Sequence, residues 1–293
     1  MKKFTKIFVI FGVLFLIAGI ALFTAGMTLS DWDFSKLNTA LYVQREYTAA
    51  GKDITSLRVE FECADMTVET SAETDTIQIS YPVRVDAEGK ELSQAEFEIT
   101  DGTLCVTERN DTSDFLSWNF TTPKVQVVLP MKTYGNAEFV TDTGDICADG
   151  LSARTITLQT DTGDISAKNI AAAENLTLRT DTGNIGAENA EGKSAAIGSE
   201  TGDIRLRGTF RAESAQVLAE TGNIDAESLD ADTVLLQTSL GDISAAAAGN
   251  ADDYALRIHT DLGEQNVYDA EGGPRALTAR TGSGNIRITF IGA

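Results

Sequence analysis

Histidine is nearly absent from this chain. Among 293 residues there is one, His259, with only 4 prolines, 3 cysteines and 2 tryptophans. A single histidine excludes metal sites built from several imidazoles and leaves one base for a Ser-His-Asp arrangement. It stands in LRIHTDLG, one residue off an inward-facing column, and reads as an exposed strand residue. The cysteines, Cys63, Cys105 and Cys147, include no C-x-x-C unit, so the paired zinc pattern is excluded. Three of them allow at most one internal disulfide and leave a thiol over. Aromatic residues make up 7%, few for a sugar-stacking surface, although Trp118 and Phe120 in FLSWNF form a local patch that reads as a hydrophobic plug. No glycine-rich phosphate loop follows a strand and opens a helix.

Positive charge is also scarce. Lys and Arg number 23 against 44 Asp and Glu. Lys2, Lys3 and Lys6 fall in the first thirty residues, which carry no acid, so the remainder holds 20 basic against 44 acidic residues, a net of −24. Such a surface repels a phosphate backbone and excludes nucleic acid as a partner. It equally opposes lying flat on anionic lipid.

Charge is missing altogether from Ile7 to Leu29, 23 residues in which only Thr24 and Thr28 are polar. As a helix this stretch is roughly 35 Å long, enough for a hydrocarbon core of about 30 Å. Lysines precede it and DWDF follows, so the positive-inside rule puts the N-terminus in the cytoplasm and the rest outside. A cleaved signal peptide is the rival. Its apolar region is shorter, about 7–15 residues, and Thr24-Ala25-Gly26 is a poor cleavage site. The expectation is a retained anchor over residues 1–30, a polar stalk over 31–53, and an extracellular domain over 54–293 with regular repeats from 135.

What is present in abundance is one phrase. TDTGDICA begins at Thr141, TDTGDISA at Thr160, TDTGNIGA at Thr180, SETGDIRL at Ser199, AETGNIDA at Ala219 and TSLGDISA at Thr238. The anchoring glycines are Gly144, Gly163, Gly183, Gly202, Gly222, Gly241, Gly263 and Gly284, spaced by 19, 20, 19, 20, 19, 22 and 21 residues. A fixed period near twenty signals a solenoid. Five positions before each glycine stand Phe139, Leu158, Leu178, Ile197, Val217, Leu236, Ile258 and Ala279. Two positions after it stand Ile146, Ile165, Ile185, Ile204, Ile224, Ile243, Gln265 and Ile286. Alternation of period two on both sides gives a strand before the glycine and another after it, with the glycine turning the corner. Earlier segments alternate too, at Leu57-x-Val59-x-Phe61, Met66-x-Val68, Ile77-x-Ile79, Phe97-x-Ile99 and Val125-x-Val127-x-Leu129. The expected fold is all-β: a single-stranded parallel β-helix or β-solenoid with coils of about twenty residues, preceded by one transmembrane helix. A β-sandwich also alternates, but its strands do not repeat one turn phrase eight times in phase. SAAAAGNADD after Gly241 reads as a bulging loop, and Phe290 as a plug for the open end.

The repeated acids form two columns. Asp142, Asp161, Asp181, Glu200 and Glu220 precede the glycines by two; Asp145, Asp164 and Asp203 follow by one, interrupted by Asn184, Asn223 and Asn285. Calcium solenoids need G-G-x-G-x-D at a period of nine, and no EF-hand loop is present. The columns therefore read as solvated turn faces, and no catalytic, cofactor or metal residue is assigned.

The string KVQVVLPMKTYGNAEFVTDTGDICA, with LRVEFECADMTVETS before it, resembles a bacterial membrane-anchored β-strand-repeat family often called "putative adhesins". The resemblance covers about Ile54 to Ile291. It implies a β-helix displayed outside the membrane and brings no catalytic residues. The expected function is a non-enzymatic binding or adhesion module on the bacterial cytoplasmic membrane, with an envelope protein or polysaccharide as partner. The alternative is a cell-envelope sensing or regulatory component acting with membrane partners.

Overall fold

A computed structural model of the chain describes residues 2–33, 41–86, 88–110 and 122–292. Helix α1 (Lys2–Leu29) contains a 19-residue span, Phe11–Leu29, of mean hydropathy 2.1, long and apolar enough to cross a membrane. The Thr24 and Thr28 hydroxyls donate to the carbonyls of Ile20 and Thr24, so neither needs water. Beyond the helix the described residues are all-β and solenoid-like, with nineteen strands among them in one continuous sheet system. The patch containing Trp118 and Phe120 lies outside the described residues.

The repeat stacks in register. Strand β8 (Thr133–Thr143) pairs in parallel with β10 (Ser152–Thr162), and β10 with β12 (Ala171–Thr182), so Phe139, Leu158 and Leu178 lie side by side. Beyond the glycine, β9 (Ile146–Asp149), β11 (Ile165–Lys168) and the start of β13 (Ile185–Thr201) align Ile146, Ile165 and Ile185. Strands β13, β14 (Ile204–Thr221) and β15 (Ile224–Leu240) each run around a second corner and continue both ladders. The ladder residues are 0–2% exposed and belong to one core cluster.

The glycine is required by its neighbour. At Gly163, Gly183 and Gly202 a Cβ would sit 1.9–2.0 Å from the carbonyl oxygen of the glycine one layer below. Their φ values of 147–151° are also ones that L side chains rarely adopt. Each corner thus forbids a side chain because the next corner is stacked on it.

Layer order departs from chain order at both ends. Strand β18 (Arg275–Ser283) pairs with β15, and β19 (Ile286–Ile291) with β16 (Ile243–Ala248). Strand β17 (Tyr254–Leu262) pairs with the far side of β18, and its Leu256 bridges to Ala270 in the following loop. The Gly284 coil therefore lies between those of Gly241 and Gly263. Spatial order at this end thus differs from the order of the glycines along the chain. Arg275 fixes the exchange: its guanidinium, 18% exposed, donates to the carbonyls of Ala231 (3.1 Å) and Ala248 (2.7 Å) and pairs with Asp230 at 2.5 Å. Tyr254 packs on Phe290 with ring centroids 5.6 Å apart; Phe290, expected as a plug for the open end, is partly buried on β19, and the outermost strand is β17. At the opposite end β2 (Ser56–Cys63) and β3 (Asp65–Ser71) stack on β8 and β9, while β6 (Thr103–Asn110) and β7 (Lys124–Pro130) lie outside them.

That end is also not purely parallel. Strand β5 (Ser93–Thr100) joins β6 through an Asp101-Gly102 hairpin with φ of 50° and 74°, and β4 (Thr76–Val85) lies antiparallel to β7. Strand β1 (Leu41–Ala50) pairs antiparallel with β4 over its whole length, so part of the expected 31–53 stalk belongs to the sheet. Tyr47 stacks on Phe97 over this end at a centroid distance of 4.0 Å, and Tyr81 packs tilted against Phe97 at 5.1 Å. The antiparallel strands terminate the parallel core, as an end exposed to water requires.

Gly183→Ala should lower stability by about 3 kcal/mol, read as a fall in the melting midpoint by circular dichroism. Gly198→Ala should not lower it, because a Cβ there meets nothing nearer than 3.9 Å and φ is ordinary.

Candidate functional site

The glycine corners form the most strongly patterned surface of the molecule, and each residue of the phrase has a distinct physical role. Three positions before the glycine the hydroxyl is buried. Thr160, Thr180 and Ser199 donate to the carbonyls of Gly144, Gly163 and Gly183 at 2.9–3.0 Å. Thr238, Thr281 and Thr260 do the same for Gly222, Gly241 and Gly284. Ala219 is the one residue of this run without a hydroxyl, leaving the Gly202 carbonyl without that donor.

One position after the glycine the Asp or Asn side chain accepts the backbone N–H of the same position in the next layer. Asp164 N–H donates to Asp145 at 2.8 Å, Asn184 to Asp164 at 2.6 Å, Asp203 to Asn184 at 3.0 Å and Asn223 to Asp203 at 2.9 Å. The ladder continues through Asp242 to Asn285 and ends with Glu264 on Asn285. These acids are not merely solvated, as expected; they bind adjacent layers together. From Asp164 to Asn285 the ladder alternates Asp and Asn in spatial order. The side-chain amides of Asn184 and Asn223 also donate to the Asp below, at 3.2 Å each. Alternation separates like charges, which otherwise repel by about 1 kcal/mol per close pair in water.

A second corner column escaped the sequence reading. Gly150, Asn169, Asn189 and Gly208, each six residues after an anchoring glycine, all have positive φ of 49–74°. The Asn169 side chain donates to Asp149 at 2.9 Å. The recurrence of glycine or asparagine at that offset was the signal for it.

The outer column, Asp142, Asp161, Asp181, Glu200 and Glu220, faces water beside these ladders. Burial, then Asp161 and Glu62, holds the Asp142 carboxyl above the ordinary carboxylate range. Nearby Glu108 accepts the Glu62 N–H at 3.2 Å, and burial pushes its pKa up as well. Among the described residues no three His, Cys, Asp or Glu side chains converge as a metal site would require. Burial raises the Cys63 and Cys147 thiols, keeping them protonated and poorly nucleophilic, and all three cysteines are free. His259 Nε2 lies 2.9 Å from Asp261, but both side chains are 69% exposed on the outermost strand.

The family model described as Toastrack DUF4097 matches residues 54–289. The chain belongs to that family. Among solved structures, it is similar to a putative adhesin from Bacteroides fragilis NCTC 9343, with 21% identity over 86% of this chain and 97% of that one, TM-score 0.45. A putative adhesin from Parabacteroides distasonis ATCC 8503 shows 14% identity over 87% and 96%, TM-score 0.48. A putative lipid binding protein from the same organism shows 16% identity over 85% and 98%, TM-score 0.38. No curated protein matches the chain. Identities this low leave ligand and activity to be read from this Toastrack chain's own residues.

Two outcomes are expected here. Ala219→Ser completes the hydroxyl ladder and should stabilise by about 0.5–1.5 kcal/mol in chemical denaturation. Glu108 has a folded pKa above its unfolded one, so the folded state holds the proton more tightly. Stability from this group is complete at low pH and falls as pH rises from the ordinary carboxylate pKa through the raised one. Glu108→Gln should flatten that decline in melting midpoint against pH.

Proposed function

We propose that this chain is a non-enzymatic binding module of the adhesion type. In this reading its regular region is a single-stranded parallel β-helix of coils of about twenty residues, held in the bacterial cytoplasmic membrane by α1. The N-terminus lies inside and the solenoid outside, as the lysines before the apolar span favour. The observation that carries the reading is repetition. The polar residues of the glycine corners recur coil after coil, whereas a catalytic set is a unique constellation. A rigid periodic surface suits recognition of an extended partner, which can make the same contact many times. The net of −24 beyond the anchor keeps nucleic acid and anionic surfaces away.

A second reading, a cell-envelope sensing component acting with membrane partners, has its own support. Gly12, Gly19 and Gly26 recur every seven residues along α1 with open space around each. Two helical turns separate them, so they share one face, and small residues on one face let transmembrane helices approach closely.

Photo-crosslinking of the intact protein in its own membrane, followed by affinity capture, separates these readings. Capture of an envelope component through probes on the solenoid, retained when α1 is exchanged for an unrelated transmembrane helix, is the expected result. Loss of all capture and of function on that exchange would favour the sensing reading. Turnover of an envelope polymer by the protein, abolished by one carboxylate substitution, would overturn the non-enzymatic assignment.

A further inference from the structure

The solenoid's faces differ in how their polar side chains are used. On the face after the glycine, charges are paired across or along coils: Lys168 with Glu188 (3.9 Å), Arg205 with Asp203 (2.6 Å), Arg207 with Glu227 (2.7 Å). On the third side Arg154 meets Glu174 at 3.7 Å and Lys193 meets Glu213 at 3.6 Å. The face before the glycine contains a depression of about 470 Å³ where this pattern breaks. Its floor follows one row of paired neighbours across four coils: Arg179, Gly198, Leu218 and Gln237.

Gly198 makes the depression, and the fold does not require a glycine there. Its φ is ordinary and the nearest atom to an added Cβ is the Leu218 carbonyl oxygen at 3.9 Å. Glycine inside a strand costs about 0.5–1 kcal/mol, and it commonly marks a place where a ligand comes close to the backbone. Beside the notch Leu218 is 41% exposed. Gln216, Gln237 and Glu220 make no side-chain hydrogen bond or ion pair among the described residues. Arg179, at one end, is engaged with Asp181 at 3.5 Å and Glu200 at 3.7 Å, and the Thr180 and Ser199 hydroxyls are held by glycine carbonyls.

We propose that this trough binds a neutral linear glycan lying along the stacking axis. This rests on the binding-module reading and names its ligand class. Uncharged amides that both donate and accept match hydroxyl groups, and carboxylates accept further hydrogen bonds from hydroxyls. The exposed Leu218 side chain and bare Gly198 backbone give an apolar strip for the C–H face of a sugar ring. The carboxylate column along the rim repels polyanions, which removes acidic polymers from the ligand class. Neighbouring coils lie about 4.8 Å apart, close to the length of one ring in an extended chain, so successive rings meet successive coils.

The test uses full-length protein in detergent and a panel of neutral linear hexasaccharides built on glucose, galactose, mannose and N-acetylglucosamine. Polygalacturonate and poly-lysine serve as charged probes. Binding of at least one neutral hexamer is expected, weakened tenfold or more by Gly198→Leu and at least threefold by Gln216→Ala or Gln237→Ala. Gly186→Leu, which fills an equally unneeded glycine on the face after the corner glycine, should leave affinity unchanged, and melting midpoints should show every variant folded. The proposal is overturned if no neutral hexamer binds, if poly-lysine alone binds, or if Gly198→Leu binds as the wild type does. Membrane crosslinking that persists in Gly198→Leu would keep the binding-module reading while removing the trough from it.

Discussion

Everything regular in this molecule depends on one close approach, glycine backbone on glycine backbone at the corner of each coil. A carbonyl oxygen lies about where a Cβ would be, at 1.9–2.2 Å from its ideal position in every layer from Gly144 onward. This contact sets the rotation of each coil on the last. Once rotation is fixed, the isoleucines two residues on fall into one buried ladder and the residues five before into another. The hydroxyl and Asx ladders then satisfy the polar groups that the sharp turn leaves behind, as buried backbone groups demand. A coil alone buries too little to fold, so the corner is where stability is shared between neighbours.

The exchanged layers at each end follow from the same logic. Strand β18 has partners on both edges, β15 and β17, and β2 has β8 and β6. The exposed positions fall to segments that end the pattern in their own ways. Beyond β17 the loop folds back: Asn266 holds Ile288 through both its N–H and carbonyl at 2.8 Å, and Asp269 accepts the Ile258 N–H. These side chains occupy hydrogen-bonding groups that another strand would otherwise find, which limits edge-to-edge association. At the other end antiparallel strands and the Tyr47–Phe97 stack do the same work.

Function has to be read from what the periodic scaffold leaves over. Most basic side chains of the repeats are paired with acids, and the most conspicuous acids are structural ladder or rim. What stands apart is a small set of unengaged amides around a glycine that the backbone does not need. A periodic protein surface is suited to periodic ligands, and the depression at Gly198 is a local departure from that periodicity.

The repeat glycines, the isoleucine and aliphatic columns and the apolar N-terminal span were legible because each is a local pattern with a fixed period. Short-range physics ties them to a corner, a pleat and a helix long enough to cross a membrane. The hydroxyl column was equally visible in the phrase, although its purpose was not. The layer order was legible only in hindsight: Gln265 breaks the isoleucine column, and the Asp–Asn alternation fails if Glu264 is placed before Asn285. Column statistics specify what stacks but not on which side, because both neighbours offer the same contacts. Tertiary structure decided that through particular partners, Arg275 on Asp230 and Tyr254 on Phe290, whose energies depend on distances that no sequence spacing encodes. It likewise decided which exposed side chains are spent on one another and which, around Gly198, are left facing outward.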